Sequence, residues 1–296
     1  MKTVLKWTLL LIGLLLLFVG GALFTLNRQF ESSMAATYEV EVAQLEIPTD
    51  SASIAAGEKW GALCMECHGA NLGGKLMFEA PGLASLYASN LTPGNGGIGA
   101  TYRSEDWIRA IRHGIKPNGK SVIGMPSHEY QYLDEKDLVN TVAFLQTFAP
   151  VDYSPPTNEF TIQGKALIAS GAMGKIFAAE HVDHDAPIPS GLVAEVSEAY
   201  GKYLTLTTGC QACHSEQLTG GNSPDPASPP APDITSSGNL GSWSLEEFST
   251  SLRTGKTPEG KEMEGKFMPW PAYAKMDSLN IEALYVYLQS LSKAAG

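Results

Sequence analysis

Basic charge is scarce in this sequence: 20 lysines and arginines stand against 31 aspartates and glutamates in 296 residues. A basic stripe of the kind that neutralises a phosphate backbone is missing, which excludes nucleic acid as a partner. Strand-type alternation of apolar and polar residues is absent as well, so the pattern argues for helices. Nor is there a cysteine to spare, because the four form only two short pairs, Cys64 with Cys67 and Cys210 with Cys213. What remains is 44% hydrophobic and 17% charged, the balance of a globular chain long enough for two ordinary domains.

One long apolar run is present. Trp7 to Leu26 are 20 consecutive uncharged, mostly apolar residues, and as a helix they span a ~30 Å hydrocarbon core. Lys2 and Lys6 precede the run. The positive-inside rule then puts the N-terminus in the cytoplasm and everything after Arg28 on the periplasmic side of the inner membrane, as a single-pass protein. A cleaved signal is the alternative reading. Its apolar core is ordinarily ~7 to 15 residues with a small-residue cleavage site close behind, whereas the nearest such site here, Ser33 to Ala36, lies well past the run. Both readings export the rest of the chain. Removing residues 1–26 takes away two lysines and no acid, leaving 18 basic against 31 acidic residues, a net charge of −13. That charge suits docking to a partner with a basic patch.

Each cysteine pair is followed at once by a histidine, in "CMECH" (64–68) and "CQACH" (210–214). A disulfide framework does not explain the two histidines. A zinc site shared by all four thiols would have to bridge a gap of well over one hundred residues, far beyond zinc-ribbon spacing. A thioredoxin-like pair needs a βαβ context that the sequence lacks. C-x-x-C-H is the attachment signature of haem c. On that reading Cys64, Cys67, Cys210 and Cys213 form the thioethers, His68 and His214 are the proximal iron ligands, and the cofactors are two covalently bound haem c groups.

The stretches after the two motifs repeat. "NLTP" (90–93) matches "DITS" (233–236), and "YRSEDWIRAIRHG" (102–114) matches "WSLEEFSTSLRTG" (243–255). Counting from Met125 and Met268, a tyrosine follows at +5, an aspartate at +9 and a glutamine at +21 in both copies. The chain therefore contains a duplication. Ser104 and Ser244 read as helix N-caps, Gly114 and Gly255 as helix stops. The last helix of each copy carries one apolar stripe: Leu138, Val142 and Leu145, then Ile281, Leu284, Leu288 and Leu291.

With these residues the chain resembles class I c-type cytochromes in their diheme, membrane-anchored form, similar to cytochrome c subunits of respiratory chains and membrane dehydrogenases. The resemblance rests on the two C-x-x-C-H motifs and on an "N-x-T-P … G-I-G … W … M-P-x" pattern across residues 51–150 and 196–296. It implies an all-α fold, with two tandem class I cytochrome c domains after an N-terminal transmembrane helix. It also implies that Met125 in "GMPS" and Met268 in "FMPW" are the distal iron ligands. A thioether ahead of the last helix suits haem iron, while Met77 follows its motif too closely, Met263 is flanked by acids and Met276 falls where the first copy has Leu133. The second copy departs from the pattern at "DITS" and lacks "G-I-G".

The expected organisation is an anchor (1–30), a stalk lifting the first domain from the membrane (31–50), cytochrome domain 1 (51–150), an interdomain connection (151–195) with a short helix around "GKALIASGAMGKIF", and cytochrome domain 2 (196–296). "GNGGIG" (94–99) follows a Thr-Pro turn and no strand, so it is not read as a nucleotide loop. His113 and His128 read as surface or supporting residues, and His181 and His184, among acids, as solvated linker. Arg109 and Arg112 suit either haem propionates or a solvated helix face. "SPDPASPPAPD" (223–233) reads as a polyproline-like surface loop. No catalytic residue is expected. The function implied is electron transfer with redox protein partners, either between a quinol- or substrate-oxidising complex and a terminal oxidase, or as a permanent subunit of a respiratory complex. The rival is a diheme enzyme, a peroxidase or sulfur-anion oxidase, with one labile axial ligand.

Overall fold

The computed structural model describes residues 2–222 and 228–292; residues 223–227 of the proline-rich stretch lie outside them. Helix α1, Lys2–Ala35, contains the apolar run, and it is long and apolar enough to cross a membrane. The first repeat then forms α2 (Ser51–His68), α3 (Ser104–His113), α4 (Ser127–Tyr130) and α5 (Glu135–Leu145), followed by α6 (Ile162–Ala169) in the connection. The second forms α7 (Glu198–Thr207), α8 (Cys210–His214), α9 (Leu245–Thr254), α10 (Trp270–Tyr273) and α11 (Ser278–Ser290).

The helix starts are set by short polar side chains that accept backbone N–H groups left over in the first turn. Asp50 accepts from Ala52 and Ser53 ahead of α2, Thr161 from Gly164 ahead of α6, Ser197 from Tyr200 ahead of α7 and Asp277 from Asn280 ahead of α11. Ser244 and Glu247 complete a capping box at α9. At α3 the cap falls one residue before the serine expected there. Arg103 is the boundary residue, its N–H held by Asp106 Oδ2 at 3.1 Å, and Arg103 is the residue that aligns with Ser244. Gly114 and Gly255 end α3 and α9 in the left-handed region.

The fold is mostly helical, with one addition that the sequence reading did not expect. Strands β1 (Leu76–Ala80), β2 (Ala84–Tyr87) and β3 (Glu159–Phe160) form a small antiparallel sheet in that order. The turn between β1 and β2 holds Pro81 and Gly82, the latter left-handed at φ 74°. The sheet ties the connection back to the first repeat.

The expected stalk is not free-standing either. Residues 36–50 lie against the folded body: Tyr38 N–H donates to Gly119 O at 2.9 Å, and Val42, Leu45 and Ile47 pack on the hydrophobic core that the two repeats share.

In each repeat the helix leading to the cysteine motif packs on the last helix, α2 on α5 and α7 on α11. Glycine makes both approaches close. A Cβ on Gly57 would stand inside contact distance of Asn140 O, and one on Gly201 inside contact distance of Ala283 O. Because the obstacle is backbone, Gly57→Ala and Gly201→Ala are each expected to cost about 1–3 kcal/mol or more. A thermal unfolding midpoint unchanged in either variant would contradict this packing.

Candidate haem centres

Cys64, Cys67 and His68 occupy the last turns of α2, which ends at Gly69. In the second copy the helix is broken just before the motif, because Gly209 is left-handed at φ 83°. The interruption frees the carbonyl of Thr208, and Tyr273 Oη donates to it at 2.7 Å. After each motif the chain turns the same way. Gly74 N–H donates to His68 O at 2.8 Å and Gly220 N–H to His214 O at 3.0 Å. Leu72 and Leu218 are both buried and both left-handed, with φ of 56° and 61°.

The "NLTP" and "DITS" segments follow. Asn90 Oδ1 accepts from the N–H and hydroxyl of Thr92 at 2.9 and 2.8 Å; Asp233 Oδ1 accepts the same pair from Thr235 at 2.8 and 2.7 Å. The sequence departure is thus conservative in structure, since either side chain closes the turn with the same oxygen.

These turns hold the histidines. His68 Nδ1 lies 2.7 Å from Ser89 O, and His214 Nδ1 lies 2.8 Å from Pro232 O. A carbonyl only accepts, so each Nδ1 carries the proton and each Nε2 keeps its lone pair. Burial also pushes both imidazoles below their ordinary pKa and so favours the neutral, ligating form. The sulfurs point to the same group. Cys64, Cys67 and Cys210 are thiols rather than disulfides. Burial pushes Cys64 up to about 12 and Cys210 up to about 11, and raises Cys67 too. Such thiols are unsuited to redox exchange, which needs an activated thiolate. Half-buried and uncharged, they are suited to anchoring a large apolar ring. Among the described residues, Trp60 Nε1 and Trp107 Nε1 are buried without an acceptor, as when a further group with acceptor oxygens completes a core. The donor set and its surroundings fit haem c.

Met125 and Met268 are half-buried against the same core as Cys64 and Cys210. Gly124, at φ 73°, turns the chain ahead of Met125. Met77, set aside in the sequence on grounds of spacing, comes close to this loop: its Cε is 2.8 Å from where a Cβ on Gly124 would stand. The β1–β2 hairpin folds it back, and that hairpin's Pro-Gly turn was the available signal. Met276 is buried in the core, like Leu133 at the matching position.

Neither arginine read as a propionate partner is left uncommitted. Arg112, only 2% exposed, donates to Gln131 O and Ala186 O, and Arg109 pairs with Asp106 at 2.5 Å. His113 is not a surface residue but 3% exposed. It meets His184, which is not solvated linker, with 3.2 Å between their Nδ1 atoms. His184 Nε2 donates to Ala179 O at 3.1 Å, so His184 Nδ1 accepts and His113 Nδ1 donates. Burial first, then Arg112 and His184, push His113 down to about 4.

The two centres share one interface. Helix α4, just after Met125, touches α7, while α10, just after Met268, touches α2. This exchange is reciprocal, as across a two-fold axis. Trp60 meets Tyr203 edge-on at 5.8 Å, Tyr203 Oη donates to Asp137 Oδ2 at 2.7 Å, and Lys59 Nζ donates to Tyr200 Oη at 3.0 Å. Glu129 is wedged beside Gly209, and burial raises its carboxyl to about 7.

Comparison with known families decides what the two sites are. Residues 198–292 match the family described as Cytochrome c, and residues 53–145 match Cytochrome C oxidase, cbb3-type, subunit III. Each match contains one C-x-x-C-H motif. The chain carries two haem-binding cytochrome c domains. Among curated proteins, this cytochrome is 28% identical over 268 residues to the fructose dehydrogenase cytochrome subunit of Gluconobacter japonicus, covering 78% of this chain and 51% of that one. It is 28% identical over 239 residues to the cytochrome c subunit of the quinone alcohol dehydrogenase of Gluconobacter oxydans, covering 70% and 48%. The gluconate 2-dehydrogenase cytochrome c subunit of Pantoea cypripedii is 33% identical over 95 residues, 30% of this chain and 21% of that one. The cytochrome spans about half the length of the relatives that it matches along most of its chain. All three are named as the cytochrome subunits of their dehydrogenases, not as the substrate-oxidising ones.

Proposed function

We propose that this cytochrome is a membrane-anchored diheme electron-transfer subunit on the periplasmic face of the inner membrane. It takes electrons from a membrane-bound dehydrogenase and passes them to later respiratory acceptors, ending at a terminal oxidase. The observation that carries this reading is the reciprocal packing of α4 on α7 and α10 on α2, which joins the two repeats that carry the haem motifs. Two redox centres built into a shared core suit relay from one to the other.

Haem c, when bound, supplies a one-electron iron couple. The residues of this chain do the rest. His68 and His214 would hold the irons through Nε2, the nitrogen left free because Nδ1 is bonded to Ser89 O and Pro232 O. Met125 and Met268 would each offer a thioether to one iron, a ligand that raises the reduction potential and would leave no position open for a substrate. Leu72, Leu218 and Trp60 are buried in the same apolar core that the motifs pack against, a surrounding in which little has to rearrange when charge moves. The exported net charge of −13 directs the acceptor's basic patch to this surface.

Membranes from the native host, supplied in turn with fructose, ethanol and gluconate, test the assignment. At least one substrate should reduce both haems of this cytochrome and retain it in a detergent-solubilised complex with a dehydrogenase. Purification alone, with haems that no such substrate reduces, would overturn the subunit reading.

A further inference from the structure

Helix α1 does not leave the apolar run as a bare rod. Asn27, the first residue beyond Leu26, donates from Nδ2 to Ile162 O at 3.1 Å, and Glu31 pairs with Lys165 at 2.5 Å. Between them Phe30 is fully buried, its ring 4.9 Å from Phe160 and 5.4 Å from Phe177. The contact extends back into the apolar run: Leu23 and Leu26 are half-buried, while Phe24 on the opposite side is 68% exposed. At 1.5 Å per residue, Leu23 lies ~5 Å inside the end of that run. The folded part of the protein therefore descends beside the last turn of the anchor.

The element that descends is α6. It turns Gly164, Ala166 and Ile168 inward and presents Ile162, 61% exposed, and Leu167, 37% exposed, outward. Its one charge, Lys165, is taken up by Glu31. The β1–β2 turn braces it, with Thr161 Oγ1 donating to Gly82 O at 2.9 Å. Ile162 and Leu167, with the uncharged Gln163 exposed between them, meet at this height the boundary between headgroups and acyl chains, where apolar side chains can enter while an amide stays among the headgroups. Continuity with the apolar run identifies the occupant as phospholipid.

We propose that α6 is a membrane seat: Ile162 and Leu167 enter the bilayer surface beside the anchor and hold the first haem domain against the membrane at a fixed angle. This rests on the reading of α1 as a membrane anchor.

The test uses the full-length holoprotein in zwitterionic phosphatidylcholine vesicles, where the native cysteines are held as thioethers and an introduced one can be labelled. Nitroxides at Ile162→Cys and Leu167→Cys are compared with Leu15→Cys in the anchor and Glu246→Cys on the second domain. Both seat positions carry outward side chains, so haem spectra should be unchanged. The ratio of oxygen to water-soluble nickel accessibility at 162 and 167 should be several-fold above that at 246 and below that at 15. Lipid-like behaviour at 15 with water-like behaviour at 162 and 167 would overturn the seat and leave the anchor standing. Water-like behaviour at 15 would overturn both. Shielding of 162 and 167 from both reagents, with label–label broadening that grows with protein-to-lipid ratio, would identify a second copy as the occupant and overturn the lipid assignment.

Discussion

Replacing Cys64 and Cys67 together by alanine is expected to leave one haem per chain, measured as pyridine haemochrome on denatured protein. The other haem should remain because its attachment residues stand on a separate element, α8, behind the helix break at Gly209. The reciprocal variant, Cys210→Ala with Cys213→Ala, should also retain one. The loss is all-or-none at each site, since thioether attachment needs the thiols and no other cysteine is available to substitute. Two haems retained in either double variant would overturn the assignment of that motif.

The axial positions give the second large effect. Met125→Ala or Met268→Ala should remove about half of the near-infrared sulfur-to-iron band, lower the potential of one haem and let carbon monoxide bind it, because each thioether is proposed to fill one distal site. The loops should survive the change, since backbone contacts hold them. Ser127 N–H donates to Met125 O at 2.9 Å and Ser127 Oγ to Ala110 O at 3.2 Å, while Met268 N–H donates to Glu264 O at 3.0 Å. An undiminished band in Met125→Ala would move the ligand elsewhere, and Met77, beside Gly124, would then be the residue to replace.

The haem motifs, the duplication and most helix ends were legible in the sequence because each is local. A C-x-x-C-H cluster, an Asp or Ser ahead of an apolar stripe and a glycine behind it act within a few residues. The histidine tautomers were not legible, since the carbonyls that set them lie 21 residues from His68 and 18 from His214. Contacts across the repeats were hidden more deeply. Nothing near Lys59 signals Tyr200, and nothing near His113 signals His184, because these pairs depend on how the two domains and the connection close on each other. The connection itself was read by composition as linker, yet it supplies β3, α6 and the carbonyl that Arg112 uses. Its apolar residues, Phe160, Ile168 and Phe177, were the signal that it packs, and their partner Phe30 lies at the end of the anchor helix.

The central claim is that both irons are closed and serve transfer rather than substrate chemistry. Rapid mixing of the intact, fully reduced protein with carbon monoxide tests it most directly. If His68 with Met125 and His214 with Met268 hold the two irons, neither haem spectrum should change on the mixing timescale. Fast binding at one haem of the untouched protein would contradict the carrier account and favour an enzyme with a labile ligand.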